Sequence, residues 1–366
     1  MRWKRVVVKV GTSSLTDEQG ILNPAKLQHV VDALMRFKRE SNARIVLVSS
    51  GAVGAGLGIL GWSRSTMTMP EKQAAAAVGQ GKLLSLYQTQ FDRYGQHIAQ
   101  ILLTRSDLDD RRRYLHVRNT FETLLTHHVI PIVNENDSVS VDEIRLGDND
   151  SLAAQVSLLT EADAMVLLTD CDGLYTSDPR IDSRAERIAR VDRIDKYILM
   201  RAGQAGSTSG TGGMKTKLAA AQIVTSAGIE AVIADIRHAD HLLELLTSDQ
   251  FGTRFSSQSP SLDAKRAWLK HSSRSMGRVD IDQGARDALI HKKASLLMPG
   301  ILCVEGNFET GAVIDVRAGG KPIGRGRTNY AARDIALLLE RKSSAQVEVI
   351  HRNHLVLFTD EWSEPQ

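Results

Sequence analysis

The chain of 366 residues carries 42% hydrophobic and 24% charged residues, near globular averages, which excludes wholesale disorder and offers no compositional route to a fibrous or membrane class. Its formal net charge of +3 is too small an excess to imply nucleic acid as a partner. Cys171 and Cys303 stand far apart and form neither a disulfide framework nor a metal knuckle; with no secretory or membrane-spanning stretch, a cytoplasmic protein of two domains is expected.

Arg5–Val10 is a short β-branched run ending in Gly11, the pattern of a strand. The helix after it is signalled by Asn23 as cap, Pro24 at the first helical position, and Leu27, Val30, Val31 and Leu34 at helical spacing. The alternation then repeats: strand 44–49, a glycine-rich loop, an alanine-rich helix 71–94, strand 97–103, helix 114–127, strand 129–133, helix 151–160, strand 164–169, helix 214–227 and strand 229–234. Short, nearly continuous apolar strands are buried on both faces, so this pattern predicts an α/β domain built on an open, doubly wound, mainly parallel sheet. Across 253–275 the sequence turns serine-rich and loses periodicity. Beyond it, apolar runs at 300–304, 311–316, 347–349 and 355–358, punctuated by glycines, predict a small β-rich module. The expected division is 1–255 for the α/β domain, 256–274 for a linker, 275–358 for the β-rich domain and 359–366 for a tail.

Ligands of open α/β sheets bind beyond the carboxyl ends of the strands, so what each strand runs into is informative. The first runs into Lys9-Val10-Gly11-Thr12-Ser13-Ser14, where a glycine lets backbone N–H groups approach an anion and a lysine supplies charge. The second runs into Ser49-Ser50-Gly51-Ala52-Val53-Gly54-Ala55-Gly56, small residues suited either to a small anionic substrate at a helix start or to tight helix packing. Gly56, Gly58 and Gly61 match the dinucleotide fingerprint only formally, because they lie beyond the strand end and no suitably placed acid follows. Neither Gly79-Gln80-Gly81-Lys82 nor Gly212-Gly213-Met214-Lys215 has P-loop spacing. The runs Asn134-Glu135-Asn136-Asp137 and Gly147-Asp148-Asn149-Asp150 concentrate carboxylates and amides that suit an ammonium group, a metal or active-site lysines, or else simple turns and a helix cap. Thr169-Asp170-Cys171-Asp172-Gly173 is a turn able to present a hydroxyl and a carboxylate to a nucleotide. Gly210-Thr211-Gly212-Gly213-Met214-Lys215-Thr216-Lys217 is a glycine loop with two lysines entering a helix, suited to gripping terminal phosphates. His127, His128 and Arg111 to Arg113 receive no chemical role.

In this order and spacing, Val8 to Ser13, Ser49 to Ala52, Asn134 to Asp137, Gly147 to Asp150 and Gly210 to Lys217 resemble the amino acid kinase family, and within it the glutamate 5-kinases; the C-terminal module resembles a PUA domain. The resemblance implies ATP-dependent phosphorylation of the γ-carboxylate of L-glutamate to L-glutamyl 5-phosphate, the first step of proline synthesis, with Mg²⁺ accompanying ATP and proline as feedback inhibitor. It implies that Lys9 and Lys217 flank the transferring phosphoryl group, that Asp150 orients them, and that Asp148 supports the same network. ATP would be lined by Lys9, Thr169, Asp170, Thr211, Gly212, Gly213, Met214, Lys215, Thr216 and Lys217, and glutamate by Ser50, Gly51, Asp137 and Asn149, with no protein-held metal. A homodimer or homotetramer follows from the resemblance alone. Acetylglutamate, aspartate or a nucleoside monophosphate as acceptor, and RNA binding through the C-terminal module, are the competing readings. Asn353, at a position often acidic in such modules, and the serine-rich linker depart from the pattern.

Overall fold

The computed structural model describes residues 3–62, 67–139, 149–179, 181–195, 197–199, 213–257, 269, 275–341 and 347–358. The chain divides into two compact units, Met1–Ser261 and Leu262–Gln366. The expected linker lies mostly outside the described residues, and the expected tail wholly so.

In the first unit, eight strands form one sheet in the order β3-β4-β2-β1-β5-β7-β8-β6. They are β1 (Arg5–Val10), β2 (Arg44–Ser49), β3 (Ile98–Leu103), β4 (Ile130–Glu135), β5 (Ala164–Thr169), β6 (Arg190–Val191), β7 (Glu230–Asp235) and β8 (Thr253–Phe255). All neighbours are parallel except β7 and β8. The chain runs from β1 to β2, out to β3 at the edge and back to β4 between β3 and β2, then crosses to β5 on the other side of β1. This reversal makes the carboxyl ends of β1 and β5 the topological switch point, where open α/β sheets take their ligands.

The first helix, α1 (Pro24–Ser41), begins as its sequence dictates: the Asn23 side chain accepts hydrogen bonds from the Ala25 and Lys26 amides. Its apolar stripe of Leu27, Val30, Val31 and Leu34 joins one core with Val6, Val8 and Val10 of β1 and with Leu83, Tyr87 and Phe91 of α3 (Met69–Asp92). Between them in sequence, residues 51–60 do not form the expected loop. They make a second helix, α2 (Ala52–Leu60), entered through Gly51 at φ 104°. Glycine serves packing here: a Cβ on Gly79 of α3 would stand 1.8 Å from the Ala52 carbonyl oxygen, and one on Gly56 would stand 1.9 Å from that of Ala75. Of the two uses left open for this run, Gly56 therefore takes tight helix packing.

After β3 come α4 (Arg105–Asp109) and α5 (Arg111–Thr126), then α6 (Asn149–Leu159) and α7 (Met214–Ser226). Helix α6 is buried from Leu152 to Leu159, as expected of a helix apolar on every side, and it packs on β1, β5 and α7. Helix α8 (Leu242–Thr247) follows β7.

The second unit is β-rich but not all β. A five-stranded sheet runs β11-β9-β12-β13-β15, from β9 (Gly277–Ile281), β11 (Ile301–Gly306), β12 (Val313–Ala318), β13 (Lys321–Arg327) and β15 (Leu355–Leu357); β10 (Leu296–Leu297) pairs with β14 (Glu348–Ile350). Two helices, α9 (Gln283–His291) and α10 (Ala332–Glu340), accompany the sheets, and Val279, Ile314, Val316, Ile335 and Val349 share the core.

Candidate active site

Strand β1 alternates its side chains. Val6, Val8 and Val10 enter the α1 core, and Lys9, of opposite parity, meets α6. Its Nζ lies 2.6 Å from Asp150 Oδ1, and Lys217 Nζ of α7 lies 3.2 Å from Asp150 Oδ2. Asp150 is 0% exposed and each lysine 6%. Three strand and helix ends thus hold two ammonium groups against one carboxylate, away from bulk water.

Burial by itself would push the Asp150 carboxyl up, yet the charges and hydrogen bonds of Lys9 and Lys217 more than reverse this and hold it below the usual carboxylate range. The aspartate stays ionised between the two ammonium groups. Two ammonium groups fixed by one carboxylate at strand and helix ends are donors suited to an anionic ligand.

The loop entering α7 contributes further. The Thr216 hydroxyl sits 3.0 Å from Asp150 Oδ2 and 2.8 Å from the Gly213 carbonyl, and its single proton serves one of them at a time. Helix α7 starts at Met214 with Gly213 as an extended cap lacking a side chain; the Thr216 N–H donates to the Gly213 carbonyl at 3.1 Å, and no side-chain cap among the described residues covers those of Met214 and Lys215, the kind of helix start that suits an anion. Lys215 is exposed at this end. On the β1 side, Gly11 lies against the cluster: a Cβ there would stand 3.7 Å from Lys9 Nζ.

Beside the charged cluster lies a polar one. Asn149, the residue before Asp150, directs its amide Nδ2 to Ser50 Oγ (2.7 Å), Asn134 Oδ1 (3.1 Å) and the Ser49 carbonyl (3.2 Å). Asn134 Oδ1 also accepts from the Glu135 amide at 2.9 Å, and Ser49 Oγ lies 2.8 Å from the buried Tyr87 hydroxyl. The ends of β2 and β4 and the start of α6 are thereby tied together. At the end of β5, Thr169 is buried and its hydroxyl donates to Asp170 Oδ1 at 3.0 Å, with Asp170 itself exposed.

The structure thus brings Lys9, Asp150, Thr216 and Lys217 into one cluster and Ser50 and Asn149 into its neighbour. Asp137 is half-buried two residues past β4. Asp148, Thr211 and Gly212 lie outside the described residues. Sequence reasoning gave no role to Tyr87; a tyrosine in an alanine-rich helix carries no local sign that its hydroxyl will meet a strand end.

A buried cation pair bridged by aspartate, at the switch point of a parallel sheet and beside a glycine-led helix start, is the equipment of a phosphoryl-transfer enzyme. The chain belongs to the amino acid kinase family, whose profile matches residues 4–235, and a PUA domain profile matches residues 277–351. Among curated relatives it is similar to the glutamate 5-kinase of Moorella thermoacetica, 43% identical over 364 residues that cover 97% of this chain and 96% of that one. The glutamate 5-kinase of a Streptococcus pneumoniae strain is 41% identical over 363 residues, covering 99% and 98%. Among solved structures, carbamate kinase from Giardia lamblia bound to AMP-PNP superposes with a TM-score of 0.52 at 16% identity, covering 70% of this chain and 99% of that one. That likeness speaks for the fold alone.

Proposed function

We propose that this chain transfers the γ-phosphate of ATP to the side-chain carboxylate of L-glutamate, giving ADP and L-glutamyl 5-phosphate, the first step of proline biosynthesis. The observation that carries the proposal is the buried Lys9–Asp150–Lys217 cluster, two ammonium groups held by one carboxylate. A carboxylate is already a nucleophile, so the reaction needs no strong base; it needs in-line positioning and neutralisation of phosphate charge. Lys9 and Lys217 supply that charge on either side of the transferring group, and Asp150 holds both in place. Asp148 belongs to the same proposed network.

ATP is proposed to lie along Thr169, Asp170 and 211–217, with the start of α7 at its terminal phosphates, and glutamate against Ser50, Gly51, Asp137 and Asn149. Both oxygens of Asp150 face ammonium groups, so Mg²⁺ is proposed to enter on the ATP phosphates, whose charge it neutralises when bound. Proline as an inhibitor overlapping the glutamate pocket, a homodimeric or homotetrameric assembly, a cytoplasmic location and the domain limits near 255 and 275 belong to the same reading.

The test is ATP turnover with Mg²⁺ and, in turn, glutamate, acetylglutamate, aspartate and UMP, with hydroxylamine trapping any acyl phosphate and proline added as inhibitor. Hydroxamate formed with glutamate alone is the expected result. Turnover with another acceptor would keep the kinase and discard the substrate.

A further inference from the structure

We propose that Asp172 and Arg187 form a charged clamp that positions the loop after β5 for nucleotide binding. The inference rests on the reading that ATP lies beside Thr169 and Asp170. Asp170 is exposed, and its hydrogen bond from Thr169 comes from its own neighbour in sequence, so the backbone of the loop must set its direction.

That backbone is held from outside. Asp172 Oδ2 lies 3.7 Å from Arg187 Nε, and Oδ1 lies 3.3 Å from His238 Nε2. Both partners are themselves anchored in the turn leading into β8. The Arg187 guanidinium donates to the Gly252 carbonyl, to that of Gln250 at 2.8 Å and to that of Asp249 at 3.3 Å, and the His238 ring stacks on Phe251 with centroids 4.6 Å apart. A second tie lies one step on. The Leu174 amide donates to Thr253 Oγ1 at 2.8 Å, and that hydroxyl donates to the Ile188 carbonyl at 2.6 Å. Gly173, at φ 122°, approaches so closely that a Cβ would meet Thr253 Oγ1 at 2.5 Å.

The geometry links two segments that meet nowhere else in the proposed chemistry. Asp172 stands two residues from Asp170 on the same loop, whereas the glutamate side, built on β2, β4 and α6, has its own anchoring contacts. A clamp of this kind predicts a loss confined to the nucleotide.

Steady-state kinetics of the full chain test it, with melting curves taken with and without ADP. Asp172→Asn keeps the shape and the carbonyl contacts of Arg187 while removing the charge; Arg187→Ala removes the staple. Each is expected to raise KM for ATP about tenfold, with KM for glutamate and kcat within about twofold of the parent and a smaller ADP-induced shift in Tm. Arg187→Lys should restore little, because a lysine presents its donors from one nitrogen and cannot span the carbonyls and the carboxylate. An ATP KM unchanged in Asp172→Asn, or a lowered Tm with unchanged kinetics in both variants, overturns the clamp. Asp170→Ala separates the two levels. If it raises KM for ATP where Asp172→Asn does not, only the clamp falls; if it too leaves ATP use unchanged, the placement of nucleotide beside this loop falls, and the clamp with it.

Discussion

Replacing Asp150 by asparagine preserves shape and leaves two buried ammonium groups facing a neutral amide. At an effective dielectric of about 20, contacts of 2.6 and 3.2 Å correspond to gross attractions of about 6 and about 5 kcal/mol. The desolvation of three buried charges offsets much of this, and removing one member of such a group costs about 3–5 kcal/mol. Urea unfolding at neutral pH should therefore show Asp150→Asn less stable than the parent by about that amount, with kcat reduced about 10²- to 10³-fold. The pH dependence follows from the lowered pKa of Asp150. A group whose folded pKa lies below its unfolded value stabilises fully above the unfolded value, about 3.9, and loses that stabilisation as pH falls through the folded value. The gap between parent and variant should hold steady from pH 8 to about 5 and close only below about 4. Equal stability at pH 7, or a gap that closes well above pH 5, would refute the reasoning.

Lys217→Ala should lower kcat about 10²- to 10³-fold, measured as acyl phosphate trapped by hydroxylamine, because its ammonium is assigned to the transferring phosphoryl group; unchanged turnover would remove it from the mechanism. Asp137→Asn should raise KM for glutamate several-fold more than KM for ATP, since an acid past β4 is assigned to the ammonium of the substrate; equal losses would contradict that placement. Gly79→Ala should destabilise by at least about 1–3 kcal/mol, read as a lowered Tm, because its Cβ would stand 1.8 Å from the Ala52 carbonyl oxygen. An unchanged melting curve would mean that α2 and α3 can separate at little cost.

The parallel core was legible because its strands are apolar on both faces and its helices carry their own start signals, as at Asn23 and Pro24. The cluster around Asp150 was legible in part: charged and glycine-rich residues at strand ends stand out against buried strands. What escaped was set by tertiary approach. The α2 segment contains Gly54, Gly56 and Gly58, which read locally as loop, and it is helical because backbone packing on α3 offsets poor propensity. Strand β13, KPIGRGR, holds a proline and two glycines and showed no strand pattern. A Cβ on Gly324 or Gly326 would stand 2.7 Å from the Val356 carbonyl oxygen or 2.6 Å from Ile350 Cγ2, so both glycines answer neighbours far along the chain. Helices α9 and α10 were missed for a simpler reason: both are short, and although Ile335, Leu338 and Leu339 stand at helical spacing in a glycine-free stretch, the glycine-punctuated runs between them directed the reading to strands.

The alternation along β1 has a consequence for folding. Val6, Val8 and Val10 fill the core under α1, and Lys9 between them faces Asp150. Pairing β1 one residue out of register against β2 and β5 would turn its whole side-chain set over. An ammonium would then enter the hydrocarbon side, and a valine would face an unmatched aspartate. Mispairing of this central strand is thus disfavoured on both faces, and the Lys9–Asp150 pair marks one register as the right one.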